Sequence, residues 1–540
     1  MKIHPKLAVS LLLVGVLGVA WLVRVDFIWK SLPYVGHMDE PVLTVPAIRI
    51  LQKGDFNPHN FQYPSLPIYI TSASFAAGYL WASSTGGVPS LREVGSVSYP
   101  YYTHKRVVFP AKILLATLSV LTIALAGLMA LQIYGRKDLL ILSPLILLVS
   151  GLFLMHSWVY INVDMFGAFF GALTVCAALY GMNHPGYVAR AVVPGILAGL
   201  TYACKYNYGV VLVSPLLAVW LSDQDRKIKM IVLAAGSSAV AFFLAVPYSL
   251  LDYRAFVAGV LKQVGVYSTG HKGFEGLPGL PQLLHYMNHL VSEYGMMLCL
   301  LALIGLVCSV VYHRRQALVV FSFPLGLLAL MSLQKVNFVR NILPLHVFFA
   351  VAAAYGWTRS LKVATDLICR WIPERKAVQI FVTVVLAVTA AATIPWGRVV
   401  DSYSVPRDSR NLAVIWIFEN LPLGSKIQLP EEMVLDTRRL RDKYELASIA
   451  LKKISHVSEM EPNSIAIVPY FRPDTRRKGG EEAERLNRLF AEAPALVSFG
   501  SNPVIINYFF REAATPFDPR FRLVRFPPNG KKEKKGDVLK

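Results

Sequence analysis

Residues 36–70 read GHMDEPVLTVPAIRILQKGDFNPHNFQYPSLPIYI and set two adjacent carboxylates, Asp39 and Glu40, just beyond an apolar run of membrane-anchor length. Isolated charges stand at the edges of later apolar runs: Asp164 in MHSWVYINVDMF, Lys205 in CKYNYG and Arg340 in QKVNFVRNILP. A carboxylate can take a proton from a hydroxyl or hold a cation, and ammonium and guanidinium groups hold anions. Charges are costly near hydrocarbon, so a set gathered at one depth points to a site in a water-accessible cavity. Whether they share a depth depends on the elements that carry them.

Each residue also has an ordinary role open to it. Asp39 fits the cap of a helix running to Gly54, with Glu40 in its first turn and Pro41 beside it. Asp164 fits the start of a span, where it would satisfy free amides. Lys205 and Arg340 could snorkel to headgroups. His37, His59, His156 and His271 are metal-ligand types without the spacing of a known site. Trp29, Tyr63 and Trp158 flank apolar runs in the manner of interfacial anchors.

The chain of 540 residues is 55% hydrophobic and 16% charged, and its mean hydropathy is +0.48. Soluble domains carry about 25% charged residues, so this is the composition of an integral membrane protein. The net charge of +21 does not argue for nucleic acid, because basic residues collect on the cytoplasmic loops of multi-span proteins. Cys176, Cys204, Cys299, Cys308 and Cys369 lie in or beside apolar runs with neither a disulfide nor a zinc spacing.

Apolar runs fall near 7–25, 107–133, 138–156, 164–182, 228–247, 295–311, 317–333, 341–358 and 377–396, with a long block at 191–221 broken only by CKYNYG. If that block crosses twice and 65–84 does not cross, Arg136, Arg190, Lys227, Arg315, Arg359 and Arg375 all fall on short cytoplasmic loops. Eleven crossings result, and 65–84 becomes a helix lying at the outer interface. The first run lacks a small-residue cleavage site before VDFIWK and reads as a retained anchor. The same topology, which the basic loops alone determine, carries Asp39, Glu40, Asp164, Lys205 and Arg340 to one outer face.

The expected fold is therefore an α-helical polytopic membrane domain over 1–396 with juxtamembrane helices, followed by a small α/β extracytoplasmic domain over 397–540. The latter opens with the helix DSRNLAVIWIFENLP, capped by Asp408 or Ser409, and continues through strand-like runs SKIQL, SIAIVPY, PALVSF, PVIINYFF and FRLVRF. Its tail KKEKKGDVLK reads as a solvated end.

The first loop resembles that of polyprenyl-phosphate-sugar-dependent glycosyltransferases of the GT-C superfamily, the protein O-mannosyltransferase and aminoarabinose-transferase group (glycosyltransferase family 39-like). There an Asp-Glu pair opens a helix ending at Gly-Asp, followed by Asn-Pro and Tyr-Pro. HSWVYINVDMF, GILAGLTYACKYNYGVVLVSPLLA, NFVRNILPLHVF and SRNLAVIWIFENLPLGSKI continue the resemblance in order. It implies Asp39 as catalytic carboxylate, Asp164 as the second-loop acid and Lys205 as the lysine of the KYN turn. Where some relatives have Glu-Lys before the loop proline, this chain has Gln62 and Tyr63, and Pro46 interrupts the helix after the acidic pair.

A sugar on a lipid phosphate already has its leaving group, so such an enzyme must take a proton from the acceptor and stabilise the phosphate. The expected catalytic residues are therefore Asp39, as general base, with Glu40 and Asp164, and the expected donor-phosphate partners are Lys205, Arg340 and Tyr63. A divalent cation, Mg or Mn, has Glu40, Asp164 and His59 as candidate ligands. The partners are a polyprenyl-phosphate sugar, an acceptor protein or glycolipid, and the bilayer of the plasma (inner) membrane, with no nucleic acid. A transporter would instead set its ionisable groups near mid-membrane on broken helices, and a non-catalytic assembly subunit gives no reason for the acidic pair.

Overall fold

The computed structural model describes residues 5–37, 39–86, 90–94, 104–223, 225–271, 273–403, 409–430, 440–449, 465–470, 488, 495–499 and 520–525. The chain divides into two compact units. The first comprises residues 1–28, 39–94 and 106–403; the second comprises 29–38, 95–105 and 404–540.

The helices begin with α1 (Pro5–Ser31), α2 (Glu40–Lys53), α3 (Leu66–Ser84), α4 (Lys105–Tyr134), α5 (Leu139–Leu148) and α6 (Gly151–Met155). They continue through α7 (Val163–Met182), α8 (Val193–Tyr202), α9 (Val213–Leu221), α10 (Lys227–Ala245), α11 (Tyr248–Leu251) and α12 (Tyr253–Thr269). The last are α13 (Leu280–Tyr312), α14 (Arg314–Ser332), α15 (Leu345–Ile368), α16 (Arg375–Thr393), α17 (Trp396–Tyr403) and α18 (Ser409–Asn420). Among the described residues seven helices are long and apolar enough to cross a membrane: α1, α4, α7, α10, α13, α14 and α16. The other predicted crossings correspond to α5 with α6, to α8, to α9 with the 3-10 turn Tyr206–Leu212 before it, and to α15. In α15 the first twelve residues, 345–356, are all buried, so protein rather than lipid surrounds them.

The block 191–221 is a hairpin. Ala191 at its start and Val219 near its end share one apolar cluster with Met230 and Ala234 of α10, so the chain doubles back at Cys204–Lys205. At the opposite end of that hairpin, Ala203, Phe242 and Val246 pack with Leu66, Tyr206 and Phe256. The first loop, the Lys205 turn and α12 thereby meet at one end of the helical unit. Asn57 donates from Nδ2 to Asp252 Oδ2 at 2.9 Å, and Tyr206 donates to the Phe61 carbonyl at 3.0 Å. Helix α3 is not among the seven candidate spans and packs beside α2. Reporter fusions after residue 225 or 315 are expected to be cytoplasmic and one after 400 outside; an outside signal at 225 contradicts a hairpin that crosses twice.

In the second unit α18 packs on a five-stranded mixed sheet of order β2-β1-β3-β5-β4. Its strands are β1 (Lys426–Pro430), β2 (Glu445–Ile449), β3 (Ile465–Tyr470), β4 (Ala495–Phe499) and β5 (Arg520–Arg525). β1 runs parallel to β2 and β3, while β5 is antiparallel to β3 and β4, with a register shift between Ala495 and Val497. Ala413, Val414 and Ile417 of α18 meet Ile427, Ile465 and Ile467 in the core. Four of the predicted runs are strands; PVIINYFF, Asp408 and the basic tail lie outside the described residues.

Candidate active site

Helix α2 starts at Glu40 and ends on Gly54, whose φ of 68° is the left-handed conformation that glycine adopts without a Cβ penalty. The helix is continuous through Pro46. Asp39 occupies the N-cap position, but its side chain makes no cap hydrogen bond. Its Oδ2 lies instead 2.8 Å from Arg340 Nη2. Arg340 comes from the 3-10 turn Val339–Ile342, and its guanidinium rests 4.4 Å from the centroid of the Phe338 ring.

The second acid is positioned by a different cap. Asn162 Oδ1 accepts the Met165 N–H at 2.9 Å, which does for α7 the work open to Asp164 in sequence. Asp164 is left to pair with Lys205, whose Nζ donates to Asp164 Oδ1 and, at 2.9 Å, to Asn341 Oδ1. Lys205 can reach both because α8 stops at Tyr202 and the backbone at Lys205 is extended (φ −155°, ψ 127°). Tyr208 donates to Asp164 Oδ1 at 3.1 Å. Its ring lies against Gly167, where a Cβ would collide with the ring carbons. Gly167→Ala is therefore expected to displace Tyr208, cost about 1–3 kcal/mol of stability through overpacking and slow turnover. Melting temperature and rate together check this.

The two acid–base pairs belong to one cluster. Tyr63 feels the charges of Arg340, Asp39 and Lys205, and Tyr160 those of Arg340, Asp164 and Asp39. Tyr267 of α12 donates to Asn341 Oδ1 at 2.9 Å, the oxygen that also receives Lys205. Burial pushes the hydroxyl pKa values of Tyr63, Tyr160 and Tyr267 above the ordinary tyrosine range, so all three are neutral hydrogen-bond donors at physiological pH. The two carboxylates differ in access: the Asp39 side chain is 32% exposed, that of Asp164 only 4%.

Other expected site residues go elsewhere. Glu40 is fully buried, with Oε1 3.3 Å from Lys112 Nζ and accepting the Ile161 N–H at 3.0 Å. His59 is exposed, with φ 51°, and pairs with Asp55 at 2.8 Å. The three metal-ligand candidates thus have separate partners: Glu40 has Lys112, Asp164 has Lys205 and His59 has Asp55. Among the described residues no group of three or more His, Cys, Asp or Glu is placed to hold a metal ion. The candidate set does not fit a cation in this arrangement. His37 belongs to the second unit. His156 lies near Asp164, Arg340 and Lys205, and the His271 ring lies 5.5 Å from that of Phe338. Lys112, Tyr160, Tyr208, Tyr267 and Asn341 were missed as site residues, although Tyr208 and Asn341 stand within the KYNYG and VRNILP runs.

As a whole, the chain is similar in fold to ArnT from Cupriavidus metallidurans bound to undecaprenyl phosphate, with a TM-score of 0.50 at 14% identity, over 85% of this chain and 92% of that one. The chain has the GT-C fold. Apo ArnT from the same organism matches with a TM-score of 0.50 at 13% identity, over 86% and 93% of the two chains. The Archaeoglobus fulgidus oligosaccharyltransferase tethered with an acceptor peptide matches at 12% identity over 77% of this chain and 61% of that one, with a TM-score of 0.48. No protein-family model matches the sequence, and neither does any curated protein. The GT-C architecture agrees with the resemblance carried by the first loop.

Proposed function

We propose that this chain is an inverting glycosyltransferase that moves a sugar from a polyprenyl phosphate to an acceptor hydroxyl at the outer face of the membrane. The observation that carries this reading is the Asp39–Arg340 pair, in which the more accessible acid of the site is joined to a guanidinium. A lipid-phosphate donor supplies a leaving group, so the protein must accept one proton and hold one phosphate. Asp39 takes the acceptor's proton. As the donor enters, its phosphate competes for Arg340, which turns from Asp39 to the phosphate and frees a carboxylate oxygen for the hydroxyl. Lys205, fixed by Asp164 and Asn341, supplies the second positive charge to the phosphate oxygens, and the Tyr63 and Tyr267 hydroxyls are further donors. The acceptor oxygen attacks the anomeric carbon opposite the phosphate as the sugar–phosphate bond breaks, which inverts that centre. Polyprenyl phosphate leaves with the bonding electron pair.

The location follows from the donor's chemistry. Its tail stays in hydrocarbon while its phosphate reaches the ends of the helices, where this cluster lies. The GT-C fold supports the reading, as does the location of the cluster where the first loop and the Lys205 turn meet. Its direct test is equilibrium binding of undecaprenyl phosphate in detergent micelles to wild type and Arg340→Ala, with the anomeric configuration of any transfer product determined by NMR. The expected result is weakened binding in the variant and an inverted product. A product with retained configuration contradicts the single-displacement step.

A further inference from the structure

Lys112 is the one lysine or arginine inside the apolar run 107–133. Its side chain has no exposed surface. An ionisable group held at that depth in a membrane helix is costly and calls for a reason beyond packing. Its contacts are specific. Nζ donates to the Val159 carbonyl at 2.7 Å and stands 3.3 Å from Glu40 Oε1, and that same oxygen accepts the Ile161 N–H at 3.0 Å. Lys112, Glu40 and the backbone of residues 159–161 therefore close a ring.

The ring joins the two segments that carry the acids. Glu40 follows Asp39 directly, so the rotation of the α2 N-terminus that buries Glu40 also sets where the Asp39 carboxylate points. Ile161 precedes Asn162, the cap that fixes the first turn of α7 and with it Asp164. Tyr160, held between the two anchored backbone groups, feels the charges of Arg340, Asp164 and Asp39. We propose that Lys112 is a positioning residue for glycosyl transfer: through Glu40 and residues 159–161 it holds Asp39 and Asp164 in register with each other. It touches no reacting atom. Glu40 serves the same ring.

A fastening that served stability alone would not need charge. Buried ion pairs are commonly replaced by neutral groups of similar volume at no loss of stability, whereas removal of one partner strands the other. Geometry is another matter, because a misplacement of about 1 Å at a catalytic group costs on the order of 10²-fold in rate. The discriminating variant is therefore the double substitution Glu40→Gln/Lys112→Met, which leaves no lone buried charge and keeps an amide oxygen for the Ile161 N–H.

This proposal rests on the glycosyltransferase reading, and the experiment separates the two. Wild type and the double variant are compared for melting temperature, for affinity toward undecaprenyl phosphate in detergent, and for kcat with a polyprenyl-phosphate sugar donor. The double variant should melt near wild type and bind undecaprenyl phosphate within about twofold, while kcat falls by about 10–10²-fold. A double variant with wild-type kcat overturns the positioning role while leaving the proposed function intact. Loss of folding, or of lipid-phosphate affinity with kcat unchanged, also overturns it, since the ring would then serve the fold or the donor site. A wild type that transfers nothing from any donor overturns the proposed function itself.

Discussion

Asp39→Asn is expected to fold and insert as wild type does and to transfer sugar at least about 10²–10⁴-fold more slowly, the usual worth of a positioned general base. The structural consequences are small. Asn is as good an N-cap residue as Asp, and the Asp39 side chain makes no cap bond to lose. What the folded state forgoes is a partly exposed ion pair with Arg340, a loss on the order of 1 kcal/mol or less. The catalytic loss is large because a neutral amide cannot take the acceptor's proton. Glu40→Gln, measured in parallel, differs in stability: it strands the buried Lys112, so it should lower the melting temperature, which Asp39→Asn should not. An Asp39→Asn enzyme that works at nearly the wild-type rate would overturn the assignment of the base.

The second large effect concerns the cations. Arg340→Ala should lower turnover by roughly 10²–10³-fold, about 2.7–4 kcal/mol, as expected for loss of one charged donor to the leaving group. Stability should change little, because Asp39 is left partly open to water. Lys205→Ala should lose a similar factor in turnover and also unfold more readily, since it strands Asp164 in the interior, a cost of about 3–5 kcal/mol. Pairing it with Asp164→Asn should recover stability without recovering rate. The readouts are turnover per folded enzyme and melting temperature for each variant. Near-normal turnover in both alanine variants would remove the phosphate site.

The parts of the site that are legible in sequence are those where a lone charge interrupts an apolar run. Asp39, Asp164, Lys205 and Arg340 stand out because a membrane helix tolerates charge only at its ends or against a partner, and the structure pairs Asp39 with Arg340 and Asp164 with Lys205. Lys112 gave the same signal, deeper in its run. The inward turn of Glu40 was not legible, because adjacent residues at a helix start point in different directions and only the packing of α4 decides which one is buried. Tyr160 and Tyr267 resemble interfacial anchors until α12 folds back and the 159–161 segment is pinned. In the second unit α18, β1, β3, β4 and β5 follow from apolar runs. β2, the sequence ELASI, escaped notice because an edge strand beside β1 alone needs little apolar surface.

The metal candidates show the limit of residue type without geometry. Glu40, Asp164 and His59 have the right chemistry, yet each is placed against a different partner. Spacing in sequence could not reveal this, since Glu40 meets Lys112 and Ile161 across long chain separations.

The central claim is transfer of sugar from a polyprenyl phosphate. Purified protein in detergent or nanodiscs, incubated with a panel of undecaprenyl-phosphate sugars and candidate protein, glycolipid and polysaccharide acceptors, should release undecaprenyl phosphate from at least one donor in the presence of an acceptor, and Asp39→Asn should release it about 10²–10⁴-fold more slowly. No release from any donor with any acceptor, by a folded protein, would contradict it.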